Sequence, residues 1–244
     1  MTKKSNVQDV RSILQQIADV LLMNGGFLSN PGLYSGEMGL VLFFAHYARY
    51  TQNNLYLEYA YGLMEKLQNR IHLETPIDFK QGLAGIGSAI EYLVQNGFFE
   101  ADTDEILEDF DQRIFFTYNL PYLSIDKIMD VGYYALWRIS GNSSKKDFIQ
   151  QTILPQIEKV MHVHSVDPSW LQYRKTIPAS FVGKTYCCCL ELFNNNDFWS
   201  KDMGLQNGLA SWGVSLLTEL TGNDSWFSLF PDNILSSKNE SLFV

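Results

Sequence analysis

A small-residue frame recurs along this chain. It reads GEMGLVLFF from Gly36, GLAGIGSAI from Gly82 and GLASWGVSL from Gly208. Gly82, Gly85 and Gly87 align with Gly36, Gly39 and Val41 in the first copy, and with Gly208, Ser211 and Gly213 in the last. Weaker copies put Gly132 of KIMDVGYYAL and Gly183 of PASFVGKTYC in the Gly87 slot. The copies start at 36, 82, 127, 178 and 208, giving intervals of 46, 45, 51 and then 30 residues. A period of 45–50 residues marks a helical-hairpin array, whose units bury their apolar faces against one another. Each glycine cluster leads straight into an apolar helix-like run, as a phosphate cradle does. A phosphate loop, however, follows a β-strand and normally occurs once. Here no strand pattern precedes the motif, and the motif returns. The glycines are expected instead to permit close backbone approach and to supply left-handed turns. No room for a bulky side chain is expected at Gly82 or Gly85.

Between the frames lie amphipathic segments. VQDVRSILQQIADVLL sets Val10, Ile13, Leu14, Ile17 and Leu21 on one stripe, and NLYLEYAYGLMEKLQNRI sets Leu55, Tyr59, Leu63 and Leu67 on another. In DTDEILEDFDQRIFF, Asp102 is the expected N-cap, with Glu105 completing a capping box. The frame segments themselves are apolar nearly all round, which predicts burial. Alternating half-exposed and buried helices predict two layers. The outer helices fall near 5–24, 53–73, 103–117 and 144–162, with Pro155 breaking or kinking the last. The inner helices fall near 37–50, 85–95, 130–140, 180–193 and 209–220. The fold class is therefore all-α, with little β-structure, in one domain over 1–244. Hydrophobic residues at 46% support a sizeable core. A net charge of −9 argues against nucleic acid and anionic membrane as partners. The N-terminal segment, interrupted by Asp9, Arg11, Gln15, Gln16 and Asp19, reads as an amphipathic helix, not a signal peptide. No run approaches the ~18 apolar residues of a membrane span. Three adjacent cysteines do not make a disulfide framework, and the expected location is the cytoplasm.

Three stretches carry a family resemblance: GLYSGEMGLVLFFAHYARYT, DFKQGLAGIGSAIEYLVQNGFFEADTDEILEDFD and GLQNGLASWGVSLLTEL. They resemble the lanthionine synthetase C-like proteins, most specifically over Asp78 to Asp111. The resemblance implies an α/α toroid whose inner helices are introduced by Gly-rich loops. It also implies zinc-dependent cyclases that add a peptide cysteine thiol across a dehydrated serine or threonine. This chain departs from that pattern twice. A complete family ring has roughly seven hairpins, whereas five inner segments are legible here. Asn194 to Met203 also leaves too little chain for an outer helix and its loops. The expectation is an incomplete or reduced toroid-like array. Second, the family's ligands are one cysteine from one loop and a Cys-His pair just before the glycine of the next. The matching positions here are Tyr34-Ser35, Lys80-Gln81 and Gln206-Asn207. QNG stands where CHG is implied.

Other candidate groups have plainer explanations. Cys187, Cys188 and Cys189 would point successively 100° apart on a helix and cannot converge on one ion. They read as small buried apolar residues. His162 and His164 fall at a helix end, His46 inside an inner helix as a satisfied core residue, and His72 on the surface. The acidic run Asp102, Asp104, Glu105, Glu108, Asp109, Asp111 lacks the glycine turn of a calcium loop and reads as a solvated helix face. Glu37 and Asp78 stand nearer a loop mouth, where paired carboxylates can serve as acid and base. Tyr34, Trp212, Tyr133 and Tyr134 either line a cavity or pack the core. The expected binding set is Tyr34, Glu37, Asp78, Gln206, Asn207 and Trp212, with no catalytic residue, metal or cofactor assigned. The resemblance implies a role in ribosomal peptide modification, with a precursor peptide or a peptide-modifying enzyme as partner. The alternatives are zinc-independent chemistry in the toroid cavity, or a truncated inactive cyclase.

Overall fold

The computed structural model describes residues 2–117, 120–165, 202–206 and 208–230. Every element among them is helical, and no strand occurs among the described residues. The described residues fall into two compact units. One comprises the chain up to Leu73 with 202–224; the other comprises 74–165 with 225–230.

The first unit holds α1 (Thr2–Asn24), α2 (Glu37–Thr51), α3 (Asn54–Gln68) and a late helix, Leu209–Thr221, numbered α10 below. The predicted stripe of α1 is the buried one: Val10, Ile13, Leu14, Ile17 and Leu21 are all inaccessible. Helix α2 is buried from Glu37 through Ala48, as an all-round apolar segment requires. It pairs with α3 through aromatic side chains. Phe44 meets Tyr59 edge-on at 4.8 Å, and Tyr47 meets Tyr56 edge-on at 4.7 Å. Each fully buried Phe contributes ~1.5–3 kcal/mol. Two expectations for α3 need correction. The helix ends at Gln68, not near 73, and Leu55 is 67% exposed. Asn53 caps the helix by accepting from the Leu55 N–H at 3.1 Å, which places Leu55 in the first turn. The inward stripe is Ala60, Leu63 and Leu67.

The second unit holds α4 (Leu83–Gln95), the short turns α5 (Thr103–Ile106) and α6 (Glu108–Asp111), α7 (Ile125–Ser140), α8 (Lys146–Phe148) and α9 (Leu154–Val163). The expected single helices at 103–117 and 144–162 are both interrupted. The first breaks at Leu107 and ends in a π-type turn, Gln112–Thr117. The second contains a π-type turn at Ile149–Ile153, just before Pro155 at the start of α9. Proline offers no N–H and crowds the preceding turn, which the wider π turn accommodates. The capping box is half present: Asp102 accepts from the Asp104 N–H at 2.9 Å. The expected inner helix at 180–193, with Cys187–Cys189, lies outside the described residues.

Frame glycines recur as notches within each unit. A Cβ on Gly87 would strike the Tyr134 ring of α7, and one on Gly213 would strike the Phe43 ring of α2. Tyr134 and Phe43 each lie seven residues past their own frame starts, 127 and 36. The same slot thus receives the same knob in both units.

Candidate functional site

The loops before α2, α4 and α10 share one backbone design. Gly36, Gly82 and Gly208 are their N-caps, with φ of −127°, −114° and −110° and ψ of −169°, −168° and −178°. These are extended conformations open to any residue, so the expected left-handed turns do not occur there. Close approach is the reason for glycine. A Cβ at each position would collide with a carbonyl of its own loop, on Asn30, Pro76 and Gly204 respectively. The first helical N–H then bonds the carbonyl seven residues upstream: Glu37 to Asn30 at 2.9 Å, Leu83 to Pro76 at 2.8 Å and Leu209 to Asp202 at 2.7 Å. Met38 to Pro31 and Ala210 to Met203 repeat this at the second position, at 3.3 and 3.2 Å. A phosphate cradle needs these donors unoccupied. Here each loop caps its own helix.

In the first unit the loops before α2 and α10 are joined directly. The Tyr34 carbonyl accepts from the Gln206 N–H at 2.8 Å, and a Cβ on Gly204 would strike the Tyr34 backbone. Tyr34 is buried, Gln206 is half-buried, and Trp212 is half-buried in the first turn of α10. Glu37 is fully buried, with Lys66 Nζ at 3.3 Å and Arg70 Nη1 at 3.1 Å from its Oε1. The same cations donate to the Gly26 and Leu28 carbonyls beyond the end of α1. Neither Glu37 oxygen has a hydrogen bond of good geometry, so the carboxylate is held by charge. Lys66 and Arg70 thus link Glu37, at the start of α2, to the segment after α1. Asn207 lies outside the described residues.

In the second unit the loop before α4 meets the N-terminal half of α7. Asp78 Oδ1 accepts from the Lys80 and Gln81 N–H groups at 3.0 and 2.8 Å, shaping the turn. The Phe79 ring meets Tyr133 edge-on at 5.8 Å. Asp130, half-buried on α7, accepts from the Phe79 N–H. Burial pushes its carboxyl up to about 7. Asp78 and Asp126 add to the rise, while the Phe79 hydrogen bond and Lys80 oppose it. Asp78 and Glu37 belong to different units.

The acidic run is not simply a solvated face. Asp111 is fully buried, and Asp104 turns inward to Arg138, itself fully buried on α7. All five guanidinium N–H groups are used. Nη2 bonds Asp104 at 2.6 Å and Asp111 at 2.9 Å, Nε bonds Asp111 at 3.1 Å, and Nη1 bonds Glu91 and, at 3.3 Å, Thr103. The Tyr134 hydroxyl donates to Asp111 at 2.6 Å. Burial opposes ionisation of Asp104, but Ser144, Ser143 and Arg138 outweigh it and hold the carboxyl below the usual range. Tyr134 itself is core, not cavity lining. Neither Arg138 nor Asp130 figures in the sequence-based site. A charged residue inside the apolar run VGYYALWRIS was the available signal for Arg138, because a buried charge demands partners.

His46 is buried in α2; burial, then Arg49, lowers its imidazole to about 3, so it is neutral. His72, His162 and His164 are exposed. Among the described residues, no three His, Cys, Asp or Glu side chains gather to hold a metal.

Helical hairpins introduced by self-capped glycine loops, with knobs repeating at a fixed slot, define an all-α repeat protein. The family model described as Lanthionine synthetase C-like protein matches residues 4–152. This chain belongs to that family. No curated protein and no solved structure gives a match.

Proposed function

We propose that this protein serves ribosomal peptide modification as a binding module for a precursor peptide or a peptide-modifying enzyme, without the zinc chemistry its family implies. The observation that supports this is the donor set at the loop mouths. The positions that would supply thiolate and imidazole carry buried Tyr34, half-buried Ser35, exposed Lys80 and Gln81, and half-buried Gln206. Zinc takes thiolate, imidazole or carboxylate, and an ammonium beside it is repulsive, so these residues do not fit the metal. The proposed site in the first unit comprises Tyr34, Glu37, Gln206, Asn207 and Trp212; Asp78, grouped with them from the sequence, belongs to the second unit and shapes the loop before α4. Tyr34 and Glu37, being buried, would act by shaping the loop, and Gln206 and Trp212 by touching the ligand. No helix among the described residues is long and apolar enough to cross a membrane, and we place the protein in the cytoplasm.

One observation favours an enzyme as the second reading: Asp130, with a carboxyl pushed up to about 7 beside the Gly82 loop, has the character of a general acid or base. Capture of partners from native cells on tagged full-length protein, read by mass spectrometry, separates the two. Retention of a Ser/Thr/Cys-containing precursor peptide or a dehydratase, reduced by Gln206→Ala and Trp212→Ala, supports the module. A captured peptide whose mass, or whose free-thiol content read by alkylation, changes on incubation, with loss of that change in Asp130→Asn, supports the enzyme. Capture of neither partner overturns the peptide role.

A further inference from the structure

We draw no further inference here: the strongest candidate, the carboxylate cluster of Asp78, Asp126 and Asp130 around Lys80 where the Gly82 loop meets α7, rests on acidic side chains and one raised carboxyl alone, and nothing in the structure points to a ligand for it.

Discussion

Asp130 and Arg138 lie two helical turns apart on α7 and answer opposite electrostatic problems. Burial raises the Asp130 carboxyl from 3.8 to about 7, and the Phe79 hydrogen bond and Lys80 offset it only in part. A raised carboxyl binds its proton more tightly in the native state. Its contribution to stability is therefore complete below pH ~4 and is lost as pH rises to about 7. Asp130→Asn removes that loss. Melting temperatures recorded from pH 4.5 to 8 should fall more steeply for the wild type than for the variant, and parallel curves would refute the assignment. Arg138 has partners in excess: Glu91, Asp104 and Asp111 all reach it. Arg138→Ala leaves Glu91 and Asp111 buried, and Asp104 half-buried, without the guanidinium, at a cost of about 3–5 kcal/mol. Lys145, 29% exposed and 3.2 Å from Asp111, provides the contrast; Lys145→Ala should cost no more than about 1 kcal/mol. Urea unfolding of both variants measures the difference, and equal losses would mean that Arg138 is not the centre of the cluster.

The helices divide cleanly into those the sequence pattern makes visible and those it does not. The buried helices α2, α4 and α10 are legible because an all-round apolar run has one solution, burial, and the glycine marks where it starts; α7, expected near 130–140, starts instead at Ile125 after Ser124, carries Gly132 inside it and buries one side only. The outer segments are harder. The stripe of α1 is legible, but the segments at 103–117 and 144–162 are interrupted in ways that periodicity does not show. Thr103–Asp111 breaks into two short turns that jointly present Thr103, Asp104 and Asp111 to Arg138, which lies 27 residues beyond Asp111. A periodicity argument sees acidic residues there and assigns them to solvent. The glycine loops were legible as close-packed but not in their conformation, since sequence does not distinguish a left-handed glycine from an extended one crowded by a carbonyl. The structure turns that distinction into a test. Gly82→Ala faces no φ penalty, yet its methyl would collide with the Pro76 backbone, which cannot move aside like a side chain. A loss of about 1–3 kcal/mol is expected from overpacking. Gly26→Ala, with nothing within 4 Å, should stay within about 0.5 kcal/mol of wild type. Thermal melts of both variants check the contrast, and an unchanged Gly82→Ala would remove the close-approach explanation.

At the scale of the whole molecule, the residues that carry family membership and those that would carry metal chemistry occupy different positions. The frames that identify the family are glycine and apolar positions, and these build the hairpins. The positions that would do chemistry lie just upstream, under different constraints, so the fold can persist when they change. Whether they have changed enough to abolish zinc binding follows from coordination chemistry. A catalytic zinc needs about three protein ligands with one position open. The loop positions here present Tyr34-Ser35, Lys80-Gln81 and Gln206-Asn207. The buried His46 is neutral and chemically able to ligate, but it lies nine residues into α2 from Glu37, roughly 14 Å along the axis from the loop. His162 and His164 sit exposed at the end of α9. Without a metal, a substrate thiol of pKa ~8.5 stays mostly protonated at pH 7, and its addition to a dehydrated residue loses its activation. Protein purified without chelator should therefore contain no stoichiometric zinc by elemental analysis. Added zinc should leave its melting temperature unchanged, since a metal that binds only the native state would raise it. No thioether should form on a dehydrated, cysteine-containing peptide. About one zinc per chain, lost when Cys187, Cys188 and Cys189 are changed together to Ser, would restore the cyclase reading and place its ligands in those cysteines instead of the glycine loops.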